Sequence, residues 1–198
     1  MEKSTNRQEA SGYDLKENKN IYMRRKLQNS ELNRLSIDEF KQVQKLPLVV
    51  VLDNVRSQHN IGAAFRTSDA FRVESIFLCG ISSTPPNAEI HKSALGSEDS
   101  VTWQYFENAI DAIAGLKQKG YKIIAVEQTT DSVMLNKFSP DANEKYALVF
   151  GNEVRGVSQQ VVDASDLCLE IPQEGTKHSL NVSVSVGVVL WDFYSIMN

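Results

Sequence analysis

Residues 48–52, LVVVL, form a continuous apolar run rich in β-branched side chains, and no other stretch constrains the fold as tightly. A strand with one face in water alternates apolar and polar residues. A strand that is apolar at every position is covered on both faces, as in a central strand of a parallel sheet flanked by helices. Similar short runs recur at 75–79, 121–126, 146–150 and 167–171. Between them lie segments of helical spacing at 60–71, 108–119 and 158–164, the second followed by Gly120 where a helix end would turn. Strands alternating with helices predict an α/β fold on a mostly parallel sheet.

The ends of the chain read differently. Residues 179–197 satisfy two periods: Leu180, Val182, Val184, Val186 and Val188 alternate as in a strand, while Val182, Val186, Val189, Leu190 and Phe193 share a helical face. The segment is far longer than a usual strand of about five to six residues, so a helix is expected, with Ser179 able to cap it. Residues 1–46 are polar and precede the change of texture at Pro47, which divides the chain into a partly helical arm (1–46) and a main domain (47–198). Within the arm, Ser36 followed by Glu39 has the form of a capping box.

Composition narrows the class. Hydrophobic residues at 41% and charged residues at 23% of 198 exclude a disordered chain or a coiled-coil rod. No apolar run approaches the length of a membrane span, so no membrane partner is expected. The opening residues have no apolar core of a secretion signal, which predicts a cytoplasmic protein. The net charge is −4, yet residues 1–45 hold ten Lys/Arg against seven Asp/Glu. This arm is either a solvated surface or a phosphate-binding element whose densest cluster is Arg24, Arg25 and Lys26. Cys79 and Cys168 stand apart in apolar runs as buried thiols, and the scattered His59, His91 and His178 lack zinc-like spacing, so no metal is expected.

In a parallel α/β sheet ligands sit at the carboxyl ends of strands. The loops DNVRSQHNIGAAFRTSDA, GNEVRGVS and PQEGTKHSLNVS follow three of the expected strands and are dense in Asn, Arg, Glu, Gly and Ser. GxGxxG after the first strand, GxxxxGK[ST] and GxSxG are all absent, which argues against ordinary dinucleotide binding, P-loop nucleotide binding and α/β-type serine hydrolysis. Asp53, at the head of the first loop, reads as a turn or capping residue at least as well as a catalytic acid.

Taken in order, NIGAAFRT, VFGNEVRGVS and IPQEGTKHSLNVSVSVG resemble the three signature motifs of the SpoU/TrmH branch of the SPOUT RNA methyltransferases, over roughly residues 46–197. The resemblance implies a C-terminal trefoil knot and a homodimer. It also implies S-adenosylmethionine as methyl donor, with S-adenosylhomocysteine as product, and methylation of a ribose 2′-hydroxyl in tRNA or otherwise rRNA. The implied catalytic set is Asn60, Arg66, Glu153, Ser179 and Asn181, and the implied cofactor-binding set is Phe150, Gly151, Asn152, Ile171, Pro172 and Leu180. Trp191, Phe193 and Tyr194 would supply part of the dimer interface or else belong to the core.

These residue types suit the chemistry. A ribose hydroxyl is a weak nucleophile and needs alignment, a route for its proton and control of the neighbouring phosphate. A guanidinium stays protonated, so Arg66 reads as a phosphate grip and charge stabiliser rather than a base. Each residue also has a plainer role: Arg66 in a salt bridge, Asn60 as N-cap of a helix beginning at Ile61, Glu153 as an exposed loop carboxylate. Gly151 and Gly156 suit positive φ or close ligand approach, or simple turns. Two rival functions stay open at this level: a non-catalytic RNA-binding or ribosome-assembly module, and a methyltransferase acting on a base nitrogen.

Overall fold

The computed structural model describes residues 24–198. The chain divides into two units, Met1–Arg34 and Leu35–Asn198. In the described part of the first, the Arg25 guanidinium donates from Nη1 to Glu31 Oε2 at 2.8 Å and from Nη2 to Oε1 at 2.6 Å. This fork, with the Gln28 amide, holds the Glu31 carboxyl down at about 2.

The second unit is a seven-stranded, wholly parallel sheet. Its strands are β1 (Leu46–Asp53), β2 (Val73–Cys79), β3 (Thr102–Phe106), β4 (Tyr121–Val126), β5 (Val133–Met134), β6 (Lys145–Phe150) and β7 (Leu167–Glu170), in the order β3-β2-β1-β6-β4-β7-β5. The helices are α1 (Ile37–Gln42), α2 (Gln58–Ala70), α3 (Ala88–Ala94), α4 (Ser97–Ser100), α5 (Ala109–Gln118), α6 (Gln159–Ala164) and α7 (Val182–Met197).

The apolar run of β1 explains its central place. Leu48, Val50 and Leu52 enter one core with Ile61 and Phe65 of α2 and Val186, Leu190 and Phe193 of α7. Val49 and Val51 point to the other face, against Ile113 and Leu116 of α5 and Val161 of α6. Each such side chain contributes about 1.5–3 kcal/mol on burial, so helices are required on both faces. Phe40 of α1 is buried in the first core, which brings α1 into the same unit as the sheet. The Ser36–Glu39 capping box is formed in both directions.

Strands β1, β2, β4, β6 and β7 and helices α2, α5 and α6 follow the expected pattern within a few residues, and residues 179–197 are mostly helix. Two expected caps are corrected. Helix α2 begins at Gln58, with Ser57 as N-cap accepting from the Asn60 amide at 3.3 Å, so Asn60 lies inside the helix. Helix α7 is capped by Asn181, whose Oδ1 accepts from the Ser183 amide at 2.9 Å, because the chain from β7 stays non-helical through Leu180 and leaves Ser179 too early. Strand β3 escapes the apolar pattern because it forms a sheet edge with Thr102, Gln104 and Tyr105 exposed. The two-residue β5 and the four-residue α4 are too brief to give a periodic signal.

The aromatics of α7 divide. Phe193 is fully buried, packed edge-on against Tyr146 and stacked on Phe138. It is core and cannot serve as interface in this conformation. Trp191 is 58% exposed. Among the described residues no helix is long and apolar enough to cross a membrane, and no group of three or more His, Cys, Asp and Glu could hold a metal ion.

Candidate active site

From β1 the chain proceeds to β2 on one side; from β6 it proceeds through α6 to β7 on the other. Connections diverging between neighbouring parallel strands leave a crevice at their carboxyl ends. Asp53, the last residue of β1, is buried there. Its Oδ2 accepts from the Ser158 amide at 2.9 Å and its Oδ1 from Asn54 Nδ2 at 2.8 Å. These bonds tie the strand end to the cap of α6, the turn and capping role.

The GNEVRGV loop after β6 is closed on itself. Asn152 and Gly156 exchange backbone hydrogen bonds of 2.9 and 2.8 Å. Asn152 Oδ1 accepts from the amides of Val154 and Arg155 at 2.9 and 3.2 Å, and Asn152 Nδ2 donates to the Asn54 carbonyl at 2.8 Å. A Cβ on Gly151 would lie 2.0 Å from the Gly156 carbonyl carbon and the Val157 nitrogen. Gly151 therefore serves a close backbone approach, whereas Gly156, at φ +67°, occupies the left-handed region.

Glu153 projects from this loop to the start of α2. Its carboxylate accepts from the amides of Arg56 and Ser57 at 3.0 and 2.9 Å and from Asn60 Nδ2 at 3.0 Å. Burial works to raise its pKa, but these donors and its own amide outweigh that and hold it below the ordinary glutamate value. Asn181 Nδ2 in turn donates to Asn60 Oδ1 at 3.2 Å. One residue from each of the three motifs thus joins a single hydrogen-bonded chain.

Beside that chain lies a cleft of about 530 Å³ at the carboxyl ends of β4, β6 and β7. Of the residues implied to bind a cofactor, Phe150, Gly151, Asn152, Ile171 and Leu180 line it; Pro172, exposed between the lining residues Ile171 and Gln173, does not. Of the implied catalytic residues, Glu153, Ser179 and Asn181 line the cleft and Asn60 is joined to it through Glu153 and Asn181. Arg66 does not line it. It lies exposed on α2, with no hydrogen bond or ion pair among the described residues, so Glu153 orients the start of α2 and not Arg66.

Sequence reasoning passed over the loop after β4. Glu127 and Gln128 of that loop line the cleft, together with Arg155, Glu170 and His178. The rule that singled out three strand-end loops applies equally to this fourth one. Glu127 Oε1 accepts from the Gln128 amide at 2.9 Å and Oε2 from the Val157 amide at 2.8 Å.

The model of the SpoU rRNA methylase family matches residues 47–191, most of the chain and all three motif loops. The chain belongs to that family. Among SpoU relatives, the 23S rRNA (guanosine-2′-O-)-methyltransferase RlmB of Neisseria meningitidis is 33% identical over 153 residues, covering 77% of this chain and 60% of that protein. The chain thus spans about three fifths of that relative's length. The TrmH/SpoU tRNA modifying enzyme of Aquifex aeolicus superposes with a TM-score of 0.71 at 29% identity, over 80% of this chain and 79% of that one. The AdoMet-bound rRNA methyltransferase of Sinorhizobium meliloti superposes with a TM-score of 0.70 at 26% identity, over 79% and 59%. The α/β sheet described above is therefore the SpoU fold.

Proposed function

We propose that this chain is an S-adenosylmethionine-dependent RNA methyltransferase that methylates a ribose 2′-hydroxyl, with tRNA as the first candidate substrate and rRNA as the second. The observation that carries the reading is the hydrogen-bonded chain Glu153–Asn60–Asn181 at the edge of a strand-end cleft.

The residues present fit the donor. Ile171 and Leu180 offer apolar surface for adenine, and the polar loops after β4, β6 and β7 border the same cleft. When bound, S-adenosylmethionine supplies an electrophilic methyl group. Asn60, held by Glu153, and Asn181, which donates to Asn60, fix the substrate ribose, and the Ser179 hydroxyl, which hydrogen-bonds to none of the described residues, is available beside them. Arg66 grips the phosphate next to the target ribose and stabilises the negative charge that grows on its oxygen. The trefoil knot would be formed by the loops after β6 and β7.

The partner reading rests on the exposed faces. Val184, Val188 and Trp191, at helical spacing on α7, form an exposed apolar stripe, which a second copy of the chain would cover in a homodimer. Arg24 and Lys26 make no ion pair among the described residues and remain the candidates for contact with RNA phosphate, whereas Arg25 is engaged with Glu31. The basic residues of this arm would then add RNA affinity to the methyltransferase domain. Two free, buried cysteines suit a reducing cytoplasm.

The test uses purified protein, methyl-labelled S-adenosylmethionine, and tRNA and rRNA fractions from a strain lacking this protein. The RNA is digested to nucleosides and read by mass spectrometry. Labelled 2′-O-methyl nucleosides in one fraction support the reading and name the substrate class. Label on a base overturns the ribose chemistry. No label from folded protein that binds the donor favours the non-catalytic RNA-binding module.

A further inference from the structure

The cleft has an uneven charge. Its lining holds three carboxylates, Glu127, Glu153 and Glu170, against one guanidinium, Arg155. Glu153 is turned toward α2, and none of the four takes part in an ion pair among the described residues. Glu127 is the most firmly held of the remaining carboxylates. Both its oxygens accept backbone amides, from Gln128 at 2.9 Å and Val157 at 2.8 Å, so neutral dipoles fix its orientation and leave its charge uncompensated. The chain also makes room for it: a Cβ on Gly156 would lie 2.1 Å from Glu127 Oε2. Gly156 and Glu127 are therefore a matched pair, a missing side chain on one loop admitting a charged one from another.

We propose that Glu127 makes the cleft select a positively charged methyl donor over the net-neutral product it becomes, with Glu170 as a weaker contributor. The proposal rests on the donor being S-adenosylmethionine. That molecule carries a sulfonium, an ammonium and a carboxylate, for a net positive charge. Transfer breaks the methyl–sulfur bond, the electron pair staying on sulfur, and forms a methyl–oxygen bond as the hydroxyl proton leaves to water. The product, S-adenosylhomocysteine, is a neutral zwitterion. A fixed anion in a partly enclosed cleft attracts the donor and loses that attraction when the sulfonium charge disappears, which favours product release. Glu170, which accepts from Ser132 Oγ at 2.6 Å, adds to the same field from the end of β7.

The experiment measures calorimetric affinities of the full-length protein, without RNA, for S-adenosylmethionine, S-adenosylhomocysteine and sinefungin, whose amine retains a positive charge at that position. Wild type should bind S-adenosylmethionine and sinefungin at least about tenfold more tightly than S-adenosylhomocysteine. Glu127→Gln should reduce that preference at least about fivefold, and Glu170→Gln by a smaller factor with the Ser132 contact retained. Equal wild-type affinities for donor and product overturn the proposal. So does a Glu127→Gln protein that loses affinity for both equally, which would make Glu127 a latch between loops and nothing more. Should Glu127→Gln fail to fold, an unchanged preference in Glu170→Gln overturns it. Folded wild type that binds none of the three ligands overturns the underlying donor assignment.

Discussion

Asn181 Nδ2 donates to Asn60 Oδ1 at 3.2 Å across 121 residues of sequence, and Asn181 Oδ1 at the same time caps α7. One side chain therefore starts a helix with its carbonyl oxygen and joins the site with its amide nitrogen. The two duties separate by substitution. Asn181→Ser keeps a competent N-cap but removes the amide, so its melting temperature should stay near wild type while turnover falls at least about tenfold. Asn181→Ala should lose turnover and also about 1 kcal/mol of stability. Full activity in the serine variant would assign Asn181 to capping alone.

Arg66 stands exposed on α2, free of hydrogen bonds and ion pairs among the described residues. A guanidinium with no structural duty can be removed without cost to the fold. Arg66→Ala should keep the denaturation midpoint and donor affinity, and reduce turnover at least about a hundredfold. Single-turnover kinetics with isothermal binding checks this; near-normal turnover would refute the phosphate-grip role.

Glu153 gives a pH signature of stability. Its folded-state pKa lies below the ordinary value, despite burial working to raise it, because the amides of Arg56, Ser57 and Glu153 itself and the Asn60 side chain stabilise the charged form. Such a group stabilises the fold fully above the unfolded value, about 4.3 for glutamate, and loses that contribution as pH falls through the depressed folded value. Glu153→Gln should therefore be less stable than wild type at pH 7, with the gap narrowing in acid below the ordinary carboxylate range. Urea midpoints across pH measure it. A gap independent of pH would show that the charge of Glu153 contributes nothing.

Gly62, in the NIGAAFRT motif, has a structural reason of its own. A Cβ there would lie 2.4 Å from the Ile90 carbonyl oxygen and 2.1 Å from Ser93 Oγ, so α2 and α3 approach closely at this glycine. Gly62→Ala should destabilise the protein by about 1–3 kcal/mol through overpacking, read from the shift of the urea midpoint. Unchanged stability would mean that α3 yields at no cost.

Residues 48–52 by themselves required a strand covered on both faces, and the alternation of runs and helical segments required an α/β sheet. Burial period and turn chemistry are local properties, and they are written into consecutive residues. The motif loops also announced Asn60, Glu153, Ser179 and Asn181 as residue types suited to a site. The sequence was silent on the strand order that inserts β6 between β1 and β4, and on the meeting of Glu153 with Asn60 across 93 residues. The same holds for Glu127, whose loop has no distinctive composition, and for Phe193, whose helical period is the same whether it faces the core or a second chain. Pairings between distant loops follow from where the sheet delivers its strand ends, so only the tertiary structure decides which polar side chains meet, and on which face of the sheet an apolar one is buried.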